Sequence, residues 1–230
     1  AGLDHPGVLA VHSFGVEGGV PFLVYELVDQ AQTLDEVFEK VTLDVRLELI
    51  RQAADAVGYA HSQGLVHRDL KPSNLLVDGA GRLRVADFGV ATGQSMERLT
   101  ATGAWVGTPL YMSPEQLYSE RDKIGPASDV WALGALLFQA LTGELPFDAE
   151  SPMELLSAAR SPVRSPRSLV PELSRDLEQI CLRALQLDPR ARYPTGAEFA
   201  SALTTYLAGG RSRSGPGPSL AAFVGLALLA

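Results

Sequence analysis

The chain has 230 residues, of which 46% are hydrophobic, and it carries a formal net charge of −8 with an isoelectric point of about 5.0. This length allows one large domain or two small ones, and the acidic balance argues against a general nucleic-acid-binding protein, which is usually basic. The single cysteine, Cys181, excludes both a disulfide framework and a cysteine zinc site. Its apolar helical surroundings favour a small buried hydrophobe, which suits a reducing compartment.

Two runs of apolar, β-branched and aromatic residues near the N-terminus predict a β-hairpin. They cover residues 8–14 and 20–25, with Glu17-Gly18-Gly19 between them. Apolar residues near helical spacing then predict a short helix over residues 33–40 and a longer one over residues 43–63. Gly64 follows directly, as expected at the end of a helix.

The second half of the chain is predicted to be mainly helical. Before it, short strands over residues 75–77 and 83–86 flank a turn and predict a second hairpin. Residues 129–143 form a helix that is apolar on nearly every face, which is typical of a buried helix. Two amphipathic helices follow over residues 174–187 and 195–207, the latter opened by a capping box of Thr195 and Glu198.

The stretch before the second hairpin carries the residue types for phosphoryl chemistry. It reads HRDLKPSN over residues 67–74, and Asp-Phe-Gly follows at residues 87–89. Four charged or amide groups are expected close together, namely Asp69, Lys71, Asn74 and Asp87. Such a set can accept a proton from a hydroxyl, hold a phosphate and bind magnesium. Asn74 precedes the first strand of the hairpin and Asp87 follows the second strand. We therefore expect both side chains at the same end of this hairpin.

With Ser-Pro-Glu at residues 113–115, these motifs resemble the catalytic loop, the metal loop and the activation-segment end of protein kinases. Lys71 resembles the serine/threonine-specific form. The resemblance covers residues 3–208 and implies an α+β, protein-kinase-like fold, with a mostly α-helical large lobe and two remnant small-lobe β-strands. It assigns residues 1–28 to the end of the small lobe and the hinge, and residues 29–208 to the large lobe.

The resemblance also implies the reaction and its cofactors, ATP and Mg²⁺. Asp69 would orient a Ser or Thr hydroxyl of a protein substrate and accept its proton, and Lys71 would neutralise charge on the γ-phosphoryl group. Asn74 and Asp87 would hold the metal. Residues 25–28 resemble the gatekeeper and hinge, where backbone groups of two residues would face adenine: Glu26 and Val28. Leu76 is either the apolar floor under adenine or a plain core leucine.

Further residues match positions that organise the kinase loop. Asp129 would brace the backbone of the catalytic loop, and Arg192 would pair with Glu115 unless it is a solvated surface charge. Ser113 stands where the family more often has Ala. Arg68 would be available to grip a phosphate on the activation loop.

Three threonines of the activation loop are assigned by the same resemblance. Thr108 would bond near Asp69 and Lys71 and favour Ser/Thr acceptors. Thr100 and Thr102 would be activating phosphorylation sites, modified by a second kinase molecule, because a phosphate there adds about −1.5 to −2 charges that an arginine can pair with. The alternative is that they are ordinary loop residues.

Some expected parts are missing from the 230 residues, and two interpretations stay open. There is no glycine-rich phosphate loop, no strand Lys and no partner Glu. The chain opens without Met, and both ends read as cut from something longer. It is either a fragment of an intact kinase, inactive alone, or a naturally truncated pseudokinase that acts as a docking or scaffold module. The undamaged motifs favour the fragment.

The C-terminal segment predicts a linker and then an apolar stretch. Residues 209–219 read GGRSRSGPGPS, which is typical of a flexible linker. The 11 residues 220–230 are uninterrupted apolar sequence, which as a helix would rise about 17 Å against a bilayer core of about 30 Å. Either a membrane helix begins here or the segment is an apolar tail. Arg211 and Arg213 favour a cytoplasmic kinase domain in a single-pass parent, an architecture that resembles bacterial receptor-type kinases.

Overall fold

The computed structural model describes residues 3–88, 109–147, 149 and 152–211. Strands β1 (Val11–Glu17) and β2 (Val20–Tyr25) form an antiparallel two-stranded sheet. The chain reverses at Gly18 and Gly19, whose φ angles of 57° and 82° lie in the left-handed region that glycine tolerates. The predicted hairpin is therefore present, but β1 begins three residues later than expected. Val8 instead bridges Val85 of the second sheet.

Large apolar side chains of this hairpin are exposed. Phe14 is 84% exposed and Val16 is 71% exposed, and Leu27, just beyond β2, is 95% exposed. Exposed apolar side chains that form a contiguous patch are typical of a surface against which another protein segment packs.

The second sheet contains the second predicted hairpin, which follows residues 67–74. It has the order β3-β4-β5, with β3 (Gln32–Thr33), β4 (Leu75–Val77) and β5 (Leu83–Val85) all antiparallel. Beyond the last register pair of β4 and β5, the Ala86 amide donates to the Asn74 carbonyl at 2.8 Å. The hairpin thus brings Asn74 beside the residue that precedes Asp87.

Helices are the main secondary structure of the described residues. They are α1 (Leu34–Phe38), α2 (Leu43–Ser62), α3 (Pro114–Leu117), α4 (Pro126–Thr142), α5 (Pro152–Ala158), α6 (Arg175–Ala184) and α7 (Gly196–Arg211). This mostly helical architecture with few antiparallel strands confirms the α+β expectation. Helix α4 starts three residues earlier than predicted, because Pro126 suits the first helical position.

Helix α4 lies in the core, and α2 packs against both α4 and α7. The crossing of α2 and α7 is unusually close. A Cβ atom added to Gly58 would lie 2.4 Å from the Ala197 nitrogen, and one added to Gly196 would lie 2.6 Å from the Ala54 carbonyl oxygen. These distances are shorter than van der Waals contact, so both glycines are needed for the two backbones to touch.

The C-terminal boundary differs from the prediction. Helix α7 continues to Arg211, so residues 209–211, predicted as linker from composition, are helical. Adding one residue to a formed helix costs little free energy, so Gly209 and Gly210 do not end this helix. The predictions for residues 212–219 and 220–230 lie outside the described residues. None of the helices within the described ranges combines the length and apolar character needed to cross a membrane.

Candidate active site

A buried carboxylate fixes the backbone of the HRDLKPSN loop, which connects α2 to β4. Asp129, in the first turn of α4, accepts from the His67 amide at 2.7 Å and from the Arg68 amide at 2.8 Å. Arg68 has a left-handed φ of 69°, which costs energy for a residue with a side chain. The two charge-assisted hydrogen bonds offset that cost and hold the turn directly before Asp69.

His61, at the end of α2, extends this arrangement to α7. Its Nε2 lies 2.9 Å from Asp129 Oδ2, and its Nδ1 accepts from the Gly196 amide at 3.1 Å. Because Nδ1 accepts, the proton of the neutral ring is on Nε2 and is donated to Asp129. The His61 and Asp129 side chains are each 1% exposed. The catalytic loop is therefore connected through two side chains to the start of the C-terminal helix.

Asp69, Lys71 and Asn74 meet on the loop that Asp129 fixes. The Lys71 ammonium donates to Asp69 Oδ2 at 2.7 Å, and the Asn74 side-chain amide donates to the Asp69 carbonyl at 2.8 Å. The Asp69 and Lys71 side chains are 40% and 29% exposed, so solvent and a substrate can reach them. Asn74 uses its NH₂ group inside the loop, and no hydrogen bond among the described residues uses its amide oxygen.

Asp87 lies two residues beyond β5, with a left-handed φ of 62° and an exposed side chain. Its Oδ1 accepts from the hydroxyl of Tyr25 at 2.5 Å. Burial, followed by the hydrogen bond and the charge of Asp87, raises the pKa of Tyr25 to about 12. Phe88 packs edge-on against the ring of His67, with 4.8 Å between centroids, which fixes the next residue of the metal loop.

The groups around Asn74 and Asp87 fit Mg²⁺. A carboxylate and an amide oxygen are hard oxygen ligands, and Mg²⁺ usually takes one or two protein ligands together with water and substrate phosphates. Within the described ranges, no group of three or more His, Cys, Asp or Glu side chains could hold a metal by itself. One carboxylate and one amide oxygen match the small number of protein ligands that Mg²⁺ usually takes.

Two of the residues expected around adenine, Leu76 and Glu26, are linked through Arg84 of the second sheet. Leu76 is half-buried, whereas its neighbours Leu75 and Val77 are buried, so Leu76 faces the opposite side of the sheet from the core. Its register partner Arg84 donates to the Glu26 carboxylate at 2.8 Å, which ties the segment after β2 to this sheet. No hydrogen bond among the described residues uses the Glu26 carbonyl or the backbone of Val28.

Arg192 and Glu115 form a buried, bidentate ion pair. Nη1 lies 2.7 Å from Glu115 Oε1, and Nη2 lies 2.9 Å from Oε2. Burial by itself would raise the pKa of Glu115, but the hydrogen bonds and charge of Arg192, together with the Ser128 hydroxyl, hold that pKa below its ordinary value. The guanidinium also lies 4.9 Å from the Trp131 ring. The pair joins α3, which contains Glu115, to the turn before α7.

Gln116 of α3 connects this helix to the catalytic loop, a role that the sequence analysis did not predict. Its Oε1 accepts from the Ser113 amide at 3.1 Å, and its Nε2 donates to the Arg68 carbonyl at 2.7 Å. The Ser113 side chain is fully buried and also donates to Gln116, at 3.0 Å. Serine at this position therefore gains a hydrogen bond that alanine could not make. His61 and Tyr25 were missed as contacts as well.

Four residues of the predicted set are not brought together. Thr100, Thr102 and Thr108 lie outside the described residues. The Arg68 side chain is exposed, and no ion pair between described residues involves it. Its role as a phosphate grip stays a prediction.

Comparison with known proteins gives one consistent result. A family model described as "Protein kinase domain" matches residues 1–203. Serine/threonine-protein kinase PknB of Mycobacterium tuberculosis is 36% identical over 215 residues, which cover 88% of this chain and 34% of that protein. Serine/threonine-protein kinase PrkC of Bacillus subtilis is 33% identical over 206 residues, covering 88% and 32%. Serine/threonine-protein kinase PknA of M. tuberculosis is 34% identical over 217 residues, covering 91% and 49%. The chain thus spans about a third of PknB and PrkC and about half of PknA.

Proposed function

The chain belongs to the protein kinase domain family, and from this membership we propose that the protein transfers the γ-phosphate of ATP to serine and threonine hydroxyls of other proteins. The observation that carries this proposal is the loop in which Lys71 lies 2.7 Å from Asp69 while Asn74 holds the same turn. Relatives that are Ser/Thr kinases by name, at about 35% identity, support the class of acceptor.

Each side chain has a separate task in this mechanism. Asp69 orients the acceptor hydroxyl and takes its proton as the oxygen attacks. Lys71 moves from Asp69 toward the transferred phosphoryl group and offsets its charge, since an ammonium on a flexible stem can follow a small displacement. The bidentate contact of Asp129 with two amides keeps Asp69 in place throughout, because positioning supplies much of the rate in phosphoryl transfer.

Asp87 and Asn74 would hold Mg²⁺ at the end of the β4–β5 hairpin. A magnesium ion held there would neutralise charge on the ATP phosphates. Leu76 would contact the adenine face, and the Glu26 carbonyl and the backbone groups of Val28 would read its edge. These contacts leave the Asp69 carboxylate uncommitted to the metal, so it can serve as the proton acceptor.

The test separates proton acceptance from nucleotide binding in the full-length protein. We expect Asp69→Asn to lower phosphorylation of a generic protein substrate by about 10²–10⁴-fold, the range for general bases, while ATP affinity stays within about twofold. Asp122→Asn makes the same chemical change at an exposed position outside the site and should be neutral. Near-wild-type turnover in Asp69→Asn would reject the proposal.

A second measurement addresses the metal. Asp87→Ala should remove the magnesium dependence of nucleotide binding, because the remaining ligand, Asn74, is neutral. A titration with Mg-ADP that gives unchanged affinity and unchanged metal dependence would contradict the assignment of Asp87.

A further inference from the structure

Tyr25 contacts the proposed metal ligand directly, over a separation of 62 residues in the chain. Its hydroxyl provides the one hydrogen bond that the Asp87 carboxylate accepts among the described residues, at 2.5 Å. The Asp87 side chain is exposed and its backbone is in the left-handed region. Within the described part of the chain, the orientation of this carboxylate therefore depends on Tyr25.

The backbone that carries Tyr25 is fixed from two sides. Tyr25 is the last residue of β2 and pairs with Val11, and the next amide, that of Glu26, donates to the Ala10 carbonyl at 2.9 Å. The Glu26 carboxylate is bound by Arg84 of β5 at 2.8 Å. Because β5 leads directly to Asp87, the hydroxyl and the carboxylate are held by one connected frame.

The contact leaves room for a cation. The Tyr25 hydroxyl is the donor of this hydrogen bond, because a carboxylate only accepts. A carboxylate offers about four lone-pair sites, of which the phenol uses one. The second oxygen of Asp87 has no hydrogen-bond partner among the described residues and can bind a metal. The hydroxyl therefore orients the carboxylate without occupying it.

We propose that Tyr25 is a positioning residue for magnesium, whose hydroxyl holds the Asp87 carboxylate in its binding orientation at the end of the hairpin that carries Asn74. A side chain ordered before binding does not lose rotamer freedom when the cation arrives, which removes part of the entropic cost of binding. The inference rests on the proposed function, since that function assigns Asp87 to magnesium.

The test removes one oxygen atom. Tyr25→Phe keeps the ring and its packing, so we expect an unchanged unfolding midpoint. Tyr206→Phe is the matched control, because its hydroxyl bonds Ser174 at 3.2 Å between α7 and α6, away from the catalytic loop. Three-bond couplings from the backbone nitrogen and carbonyl carbon to Cγ of Asp87 should report one rotamer in the wild type and the control, and averaged rotamers in Tyr25→Phe.

A binding measurement gives the functional consequence. In the full-length protein, the magnesium concentration for half-maximal binding of a fluorescent ADP analogue should rise about three- to tenfold in Tyr25→Phe. That is the order expected when part of a charge-assisted hydrogen bond is lost. Binding of the analogue without metal should not change.

The outcomes separate this inference from the proposed function. Unchanged couplings and an unchanged magnesium requirement in Tyr25→Phe overturn the positioning role, while a strong effect of Asp87→Ala leaves the proposed function intact. A lower magnesium requirement in Tyr25→Phe also overturns it, because the hydroxyl would then compete with the cation. If Asp87→Ala is also without effect, both the inference and the metal assignment fail.

Discussion

Arg192→Met should be among the most destabilising substitutions in this chain, because it leaves the Glu115 carboxylate buried without a counter-ion. The guanidinium is 0% exposed and the carboxylate 2% exposed. All five guanidinium N–H groups have acceptors, which are the two Glu115 oxygens and the carbonyls of Gln186, Ala127 and Leu187. Methionine fills a similar volume but supplies none of these donors.

The magnitude follows from burial. Removing one partner of a buried ion pair costs about 3–5 kcal/mol, against a total stability of about 5–15 kcal/mol for a typical domain. Arg192→Lys should recover only part of the loss, because an ammonium cannot bind both carboxylate oxygens and three carbonyls in a planar fork. The double variant Arg192→Met with Glu115→Gln should cost less than the sum of the single variants, since no unpaired charge stays buried.

Urea unfolding, followed by tryptophan fluorescence and circular dichroism together, measures these differences. Arg190→Met is the matched control, because Arg190 lies in the same turn but is exposed. It should change the unfolding free energy by less than about 0.5 kcal/mol. A loss below about 1 kcal/mol in Arg192→Met would refute the reasoning, because Glu115 could then be protonated or hydrated at little cost.

The same pair predicts a pH dependence. The pKa of Glu115 is lower in the folded state than in the unfolded state, so its contribution is fully present above the unfolded value and is lost as pH falls through the folded value. The wild type should therefore lose stability more steeply than Glu115→Gln below about pH 4.5, near the ordinary pKa of a glutamate. Parallel slopes for the two proteins in that range would contradict this.

Three further outcomes are expected. Gly58→Ala should destabilise by about 1–3 kcal/mol in urea unfolding, because its Cβ would lie 2.4 Å from a backbone nitrogen of α7; Gly209→Ala, with no atom within 4 Å, should be neutral or slightly stabilising. His61→Leu removes a contact of Asp129, so it should lower the hydrogen-exchange protection of the Arg68 amide about tenfold and leave the protection of α6 unchanged. Equal protection of the Arg68 amide in the variant and the wild type would exclude the bracing role of His61. Cys181 is fully buried, and burial raises the pKa of its thiol. Iodoacetamide at pH 8 should therefore label this thiol only in urea. Rapid labelling of the native protein would contradict the observed packing.

The sequence predicted the fold best where one signal dominates a long segment. Helix α2 was expected over residues 43–63 and runs over Leu43–Ser62, because its apolar spacing is regular and Gly64, at φ 76°, ends it. Strand β1 was predicted to begin at Val8 but begins at Val11, because a β-branched run does not specify its partner strand. Val8 instead bridges Val85 of the second sheet. Composition also failed at residues 209–211, where helix propagation outweighed two glycines.

For the site, spacing predicted the residue types and the loop but not the side-chain contacts. Asp69, Lys71 and Asn74 are close in sequence, and a hairpin explains why Asp87 comes near them. The contacts of Tyr25 with Asp87, and of His61 with Gly196, join residues 62 and 135 positions apart. No local pattern encodes such pairs, because each depends on how whole elements pack.

Buried acids nevertheless give a partial route from sequence to these contacts. Helix α4 is apolar on nearly every face, and Asp129 in its first turn is buried with it. A buried carboxylate is stable only where donors converge on it, so donors are expected near Asp129. The structure supplies two backbone amides and one imidazole, and these come from the two segments that must meet at the catalytic loop. An isolated acid in an apolar helix therefore predicts that other segments are anchored there, although it does not identify them.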